Sequence, residues 1–245
     1  MPSVSSGISP SLPVEDNGEP LVAIPPGLFL LTNPPPYQAL GAPYGAASPW
    51  QLRQGVLHAL TQAQQRLQQY RPGWRFKLFD AYRPLAVQAF MVWREFQSQA
   101  QATGDAIELA RHPNLTHLRA HAPWLYERLA AHVFEFWSPP NDDPQQPPPH
   151  STGAAVDLTL ADATGATLDM GGLIDETSPR SYPAHYAQAT NPAAREIHAR
   201  RELLNAAMSE AGFCRHAHEW WHFSRGDLMW AQAQNQTTAC YGRVA

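Results

Sequence analysis

The chain has 245 residues, of which 44% are hydrophobic and 10% aromatic, enough apolar material to bury one sizeable core, so a single globular domain is expected. Its net charge is −4 and its 17 lysines and arginines are scattered, which leaves no basic stripe to neutralise phosphates and argues against a nucleic-acid partner. No run approaches the roughly 20 apolar residues that span a bilayer, and the N-terminus lacks the basic start and apolar stretch of a secretory signal, so no membrane association is expected and the cytoplasm is the default location.

Residues 1 to 20 are rich in Ser, Pro, Gly and acidic groups and cannot repay the entropy of ordering, which predicts a mobile tail ahead of a domain over residues 21 to 245. Leu21 to Leu31 is apolar but broken by Pro25-Pro26-Gly27, which suits a strand, a turn and an extended run. Ser48 as N-cap with Pro49 at the first helical position, followed by Leu52, Val56, Leu60 and Leu67, predicts a helix running to Tyr70. Pro72-Gly73 stops it. Arg75 to Tyr82 alternates as a strand, and Pro84 opens a second helix to about Gln99. A third helix is expected from Pro123 to about Trp137. The following loop holds six prolines between Ser138 and Pro149, which forbids regular hydrogen bonding. Ala154 to Leu160 reads as a strand, with a turn at Asp162 to Gly165 and a hairpin partner at Thr167 to Met170. Asn191-Pro192 begins a last helix capped by Gly212, and Phe213 to Phe223 should be extended. Mixed elements without regular βαβ alternation predict an α+β domain on a mostly antiparallel central sheet flanked by helices. Without an export signal, Cys214 and Cys240 are expected as free thiols.

A hydrolytic zinc needs three nitrogen or oxygen ligands and an open position for water. Most of the 11 histidines fall on expected helices or loops, where a surface or packing role is the ordinary one. His150 and His222 stand apart. His150 opens HSTGAAVDLTL after the proline-rich loop, and His222 closes HEWWHF; each has an acidic residue and an apolar strand beside it. A rival cluster, His216 and His218 with His222, offers imidazoles at strand spacing and stays open.

The pairs His150-x6-Asp157 and Glu219-x2-His222, with Phe79-Asp80-Ala81-Tyr82-Arg83-Pro84 before them, resemble the signature of the D-alanyl-D-alanine dipeptidases, zinc peptidases related to the D,D-carboxypeptidases. The likeness covers roughly Leu52 to Asp227. It implies a hedgehog/D,D-peptidase-like fold and one Zn2+ per chain held by His150, Asp157 and His222. It also implies Glu219 as the base that deprotonates water and then protonates the leaving amine, and Arg83 facing the oxyanion. Asp175 matches the family's aspartate for the substrate ammonium, one residue further from Asp157 than in the family pattern. A small dipeptide substrate and a place in cell-wall (peptidoglycan) metabolism follow as expectations.

Other readings concern how these residues are placed. Residues three apart on an ideal strand point to opposite faces, so Glu219 and His222 can share a site only if the chain is irregular near Trp220. Asp80 and Tyr82 are expected to hold Arg83, and Trp220 and Trp221 to be core aromatics. The family's serine two residues before the first zinc histidine is Pro148 here, followed by Pro149. For the family's N-terminal tyrosine near the substrate amine, Tyr37 and Tyr44 are positional candidates only. Two alternatives remain at this level: a D,D-carboxypeptidase or peptidoglycan endopeptidase on the same site, and a non-catalytic zinc-binding module. The oligomeric state is not legible.

Overall fold

In a computed structural model, which describes residues 12–244, seven strands and eight helices alternate irregularly along the described chain. The strands are β1 (Leu21–Ala23), β2 (Leu30–Leu31), β3 (Gln51–Arg53), β4 (Arg75–Asp80), β5 (Ala155–Ala161), β6 (Cys214–Arg215) and β7 (His222–Ser224). The helices are α1 (Pro36–Ala39), α2 (Gln54–Tyr70), α3 (Leu85–Thr103), α4 (Ala106–Leu109), α5 (Leu115–His121), α6 (Pro123–Phe136), α7 (Pro192–Glu210) and α8 (Leu228–Ala233).

Five strands form the central sheet in the order β2-β4-β5-β7-β6, while β1 and β3 make a separate pair. Every residue of β5 is buried, as befits a central strand covered on both faces. β4 alternates, with Phe76, Leu78 and Asp80 buried. The fold is α+β as expected, but the sheet is mixed: β2 lies parallel to β4 and the other three pairings are antiparallel. The physical reason is the long excursion through α1, β3 and α2 between β2 and β4, since a parallel neighbour needs such a crossover.

Helices α2 and α7 pack together, and their Val56, Leu60, Leu67, Leu204 and Met208 share a core with Phe76, Leu78, Val156, Leu158 and the buried Trp220 and Trp221. Helices α3, α5 and α6 enclose a second cluster around Val92, Phe96, Leu125 and Val133, which also takes in Tyr37 of α1. The functional cleft lies where the end of α6 meets the sheet.

Several boundaries moved. The helix expected from Ser48-Pro49 starts only at Gln54, because Leu52 and Arg53 pair with Val22 and Leu21 as strand β3. Ser48 instead accepts the Trp50 N–H through its hydroxyl, closing a local turn. The hairpin partner at Thr167 to Met170 shrinks to an Ala161–Thr167 bridge, although the turn forms as expected, with Asp162 Oδ1 accepting the N–H groups of Thr164 and Ala166. Asn191 caps α7 by accepting the Ala194 N–H, and Gly212 takes the left-handed conformation. Cys214 and Cys240 are unpaired thiols.

Of the segment expected as a tail, residues 1–11 lie outside the described residues. Residues 12–20 lie against the domain: Val14 bridges to Ala239, Asp16 pairs with the buried Arg53 at 2.5 Å, and Glu19 accepts from Gly55 N–H and the Tyr241 hydroxyl. The low apolar content of this stretch is offset by its carboxylates, which complete a buried guanidinium.

Candidate metal centre and cleft

Cross-strand register builds the floor of the site. A shift in pairing between Leu78 and Asp80 sets Asp80 opposite Asp157, and Asp157 is opposite His222 on β7. Three polar residues thus form one row across three adjacent strands. His150 arrives from the turn before β5, where Gly153 reverses the chain at φ +73 with the Leu21 side chain packed where a Cβ would stand. Glu219 comes from the loop between β6 and β7. His216 N–H closes that loop on His222 O, so residues 217–221 bend away from strand geometry, and the irregularity expected near Trp220 is present.

Ligating atoms of His150, Asp157 and His222 all lie within 4.8 Å of one another, the one such group among the described residues. His150 Nε2 is 3.1 Å from Asp157 Oδ2, His222 Nδ1 is 3.0 Å from Asp157 Oδ1, and the two nitrogens are 3.2 Å apart. The outer nitrogens are occupied: His150 Nδ1 donates to Ala81 O at 2.7 Å, and His222 Nε2 shares a hydrogen bond with Ser224 Oγ at 3.3 Å. A proton on His150 Nδ1, fixed by the Ala81 carbonyl, leaves Nε2 as the nitrogen able to ligate, and a neutral His222 ligating through Nδ1 would carry its proton on Nε2, toward Ser224. Two imidazole lone pairs and a carboxylate aimed at one point are the donor set that zinc takes.

Burial opposes the charge on Asp157, but His150 and His222 overcome it and hold the carboxyl far below the usual range. His150 in turn is raised, the pull of Asp157 outweighing burial, whereas burial keeps His222 low.

Arg83 is almost fully engaged. Its Nε donates to Asp80 at 3.0 Å, Nη1 to Gln88 Oε1 at 2.8 Å, and Nη2 to the Tyr37 hydroxyl at 3.0 Å and to Asp157 at 3.4 Å. These account for four of its five N–H groups. Tyr37 and Trp137 stack over the guanidinium. Asp80 therefore holds Arg83 as expected. Tyr82 does not: it makes no hydrogen bond to Arg83 among the described residues, and the charges that bear on its hydroxyl are those of Arg53 and Arg243.

Asp175 reaches the same cleft from a loop, in left-handed backbone with φ 66. Both of its carboxylate oxygens accept from the Tyr37 hydroxyl, at 2.9 and 3.1 Å. Burial, and then the negative charge of Asp157, push its carboxyl up to about 7. Glu219 has its Oε2 3.7 Å from His222 Nδ1 and accepts no hydrogen bond among the described residues. Burial and the charges of Asp157 and Asp175 raise it well above the ordinary range.

The rival cluster does not assemble. His218 Nδ1 donates to Glu135 O, and His216 Nδ1 accepts the His218 N–H, so these imidazoles serve the loop, and His216 lines the cleft wall. Tyr44 bonds Asp80 rather than Asp175. Sequence reasoning missed Gln88 and Trp137 and could not choose Tyr37, because no motif marks a residue 138 positions from its partner. The cleft itself holds about 120 Å³, below the roughly 300–1,000 Å³ of ordinary ligand sites, which suits a very small substrate.

Comparison with known proteins gives one family. Residues 31–241 match the peptidase M15 family model described as D-ala-D-ala dipeptidase. The chain is 42% identical over 247 residues to a D-alanyl-D-alanine dipeptidase of Synechocystis sp., covering 96% of this chain and 95% of that one. It is 33% identical over 171 residues to the Streptomyces coelicolor protein of the same name, 68% of each chain. A shorter match, 47% identical over 74 residues, is to the Escherichia coli D-alanyl-D-alanine dipeptidase, covering 30% of this chain and 36% of that one.

Proposed function

The chain belongs to the D-Ala-D-Ala dipeptidase family, and from that membership we propose that it hydrolyses D-Ala-D-Ala or a closely related dipeptide using one zinc ion held by His150, Asp157 and His222. The observation that carries this reading is the convergence of those three ligands within 4.8 Å, with the Glu219 carboxylate beside them. Zinc held there supplies a Lewis acid that brings a water molecule toward a pKa of about 7.

The chain's own residues divide the remaining work. Glu219, raised by burial and free of competing hydrogen bonds, takes the water proton and delivers it to the leaving amine. Arg83 sits 3.4 Å from Asp157 with its planar fork locked by Asp80, Gln88 and Tyr37, so it presents fixed positive charge to the developing oxyanion without rearranging. Asp175 receives the substrate ammonium, and the Tyr37 hydroxyl that bridges it to Arg83 sets the distance between the ammonium site and the reacting carbonyl. A site that meets the ammonium at a fixed distance selects a free N-terminus. The reaction fits cell-wall (peptidoglycan) metabolism in the cytoplasm.

The test is hydrolysis of D-Ala-D-Ala, L-Ala-L-Ala and N-acetyl-D-Ala-D-Ala by purified protein with and without zinc. Zinc-dependent cleavage of the free D,D-dipeptide is expected. Equal or faster cleavage of the acetylated substrate would convert the reading to a carboxypeptidase or endopeptidase, and no zinc dependence would remove the metal centre.

A further inference from the structure

We propose that Arg201 is a positioning residue for the substrate-ammonium site, fixing Asp175 by clamping the loop that carries it. Arg201 lies on α7 and is fully buried, where a charge is costly unless its donors are met. Its three hydrogen bonds among the described residues all go to backbone carbonyls of that loop, one from each guanidinium nitrogen. Nε donates to Met170 O at 2.7 Å, Nη2 to Arg180 O at 2.8 Å and Nη1 to Tyr182 O at 3.0 Å. These carbonyls straddle Asp175. The stretch between them has no strand or helix apart from a 3-10 turn at Pro179–Ser181, so no ladder of backbone bonds sets its course.

Two aromatic rings complete the clamp. The guanidinium carbon lies 4.9 Å from the centre of the Tyr186 ring and 5.1 Å from that of Trp220. Tyr186 donates its hydroxyl to Gly171 O at 2.6 Å, which adds a fourth carbonyl at the Met170 end. Gly171 permits this approach: its φ is 78, and a Cβ there would stand 2.4 Å from the Tyr186 ring. Trp220 follows Glu219 in the chain, and its N–H donates to Ser181 O at 2.9 Å, between the two carbonyls that Arg201 holds at the other end. One guanidinium therefore ties the Asp175 loop to the segment that carries Glu219. Asp175 needs such support, because a residue other than glycine in left-handed backbone, here at φ 66, persists only where its surroundings over-determine it. Lysine, a single point charge on a flexible stem, has no fork with which to meet three carbonyls from separate nitrogens.

This role rests on the reading of Asp175 given above, and steady-state kinetics on D-Ala-D-Ala and N-acetyl-D-Ala-D-Ala, with zinc analysis, test the two separately. Wild-type enzyme without a preference for the free dipeptide removes the ammonium site, and this role with it. Given that preference, Arg201→Lys is expected to lower kcat/KM for D-Ala-D-Ala about 10²-fold, with the loss in KM and the preference for the free dipeptide diminished. Zinc should stay stoichiometric, because His150, Asp157 and His222 come from β5, the turn before it and β7. An arginine that served stability alone would lower Tm and leave the folded molecules with the wild-type KM. In the Asp175→Asn background the same substitution should leave KM where Asp175→Asn alone puts it, because both act on one contact. Wild-type KM in Arg201→Lys, or a fully additive loss on top of Asp175→Asn, would overturn the proposal. If Arg201→Lys does not fold, Tyr186→Phe, which keeps a ring over the guanidinium and releases Gly171 O, decides alone: a raised KM supports the clamp and an unchanged KM overturns it.

Discussion

In the proposed reading Glu219 carries the proton, and it combines three conditions such a group needs: burial, a carboxylate free of hydrogen bonds among the described residues, and a position 3.7 Å from His222 Nδ1. Replacing it by glutamine keeps the shape and removes the base. Glu219→Gln should lower kcat about 10²–10⁴-fold while metal analysis still finds stoichiometric zinc; loss of zinc together with activity would mean the residue is structural. Asp175 carries a pH signature. Its carboxyl is raised to about 7, so below that pH it holds a proton and cannot pair with an ammonium. A cation beside Asp157 offsets one of the charges that raise it, which moves the inflection downward. The KM for a free dipeptide should therefore fall as pH rises through an inflection at or below about 7. In Asp175→Asn the KM should be high and lack that inflection, and an unchanged profile there would assign the inflection elsewhere. These roles follow family motifs in the sequence, but their partners do not. Nothing in the spacing of Tyr37 announces that its hydroxyl joins Asp175 to Arg83.

Elements set how rigidly the proposed ligands are held. His150 sits in a single turn between the proline-rich loop and β5, and Gly153 lets that turn pass against Leu21 with φ +73. A Cβ at that position would lie 2.3 Å from a Leu21 methyl carbon. Gly153→Ala should cost about 1–2 kcal/mol from the left-handed backbone alone, a few degrees of Tm by calorimetry, and zinc affinity should fall with it because His150 is displaced relative to Asp157. An unchanged Tm would show that neither the left-handed backbone nor the contact with Leu21 constrains this turn. The helices α6 and α7 were legible because proline at N1, an asparagine cap and a glycine stop act within a few residues. The start of α2 was not, because the pairing of Leu52 with Val22 competes with a helical pattern that is locally just as good.

Across the whole molecule, the chain closes on itself near its ends. Asp16 and Glu19 meet Arg53, Gly55, Tyr241 and Gly242, so the N-terminal segment completes a polar cluster around a guanidinium buried under the sheet domain. Deleting residues 1–20 would leave Arg53 buried with fewer acceptors. Because the Asp16 side chain is 35% exposed, the loss is placed at about 2 kcal/mol, below the full cost of breaking a buried pair, and a thermal melt reads it directly. No change in Tm would make the segment passive. At the same scale, no helix among the described residues is long and apolar enough to cross a membrane. What the sequence by itself determined was whatever depends on neighbours in the chain: the caps and breaks of α6 and α7, the apolar run of β5, and the motif residues His150, Asp157, Glu219 and His222. What only the tertiary structure decided was whatever depends on register between distant segments. The shift after Leu78 that aligns Asp80, Asp157 and His222 in one row, the parallel seat of β2 and the arrival of Tyr37 at Asp175 belong to this kind. Strand pairing and side-chain meeting across more than a hundred residues are settled by the packing of the whole core, and no local pattern encodes them.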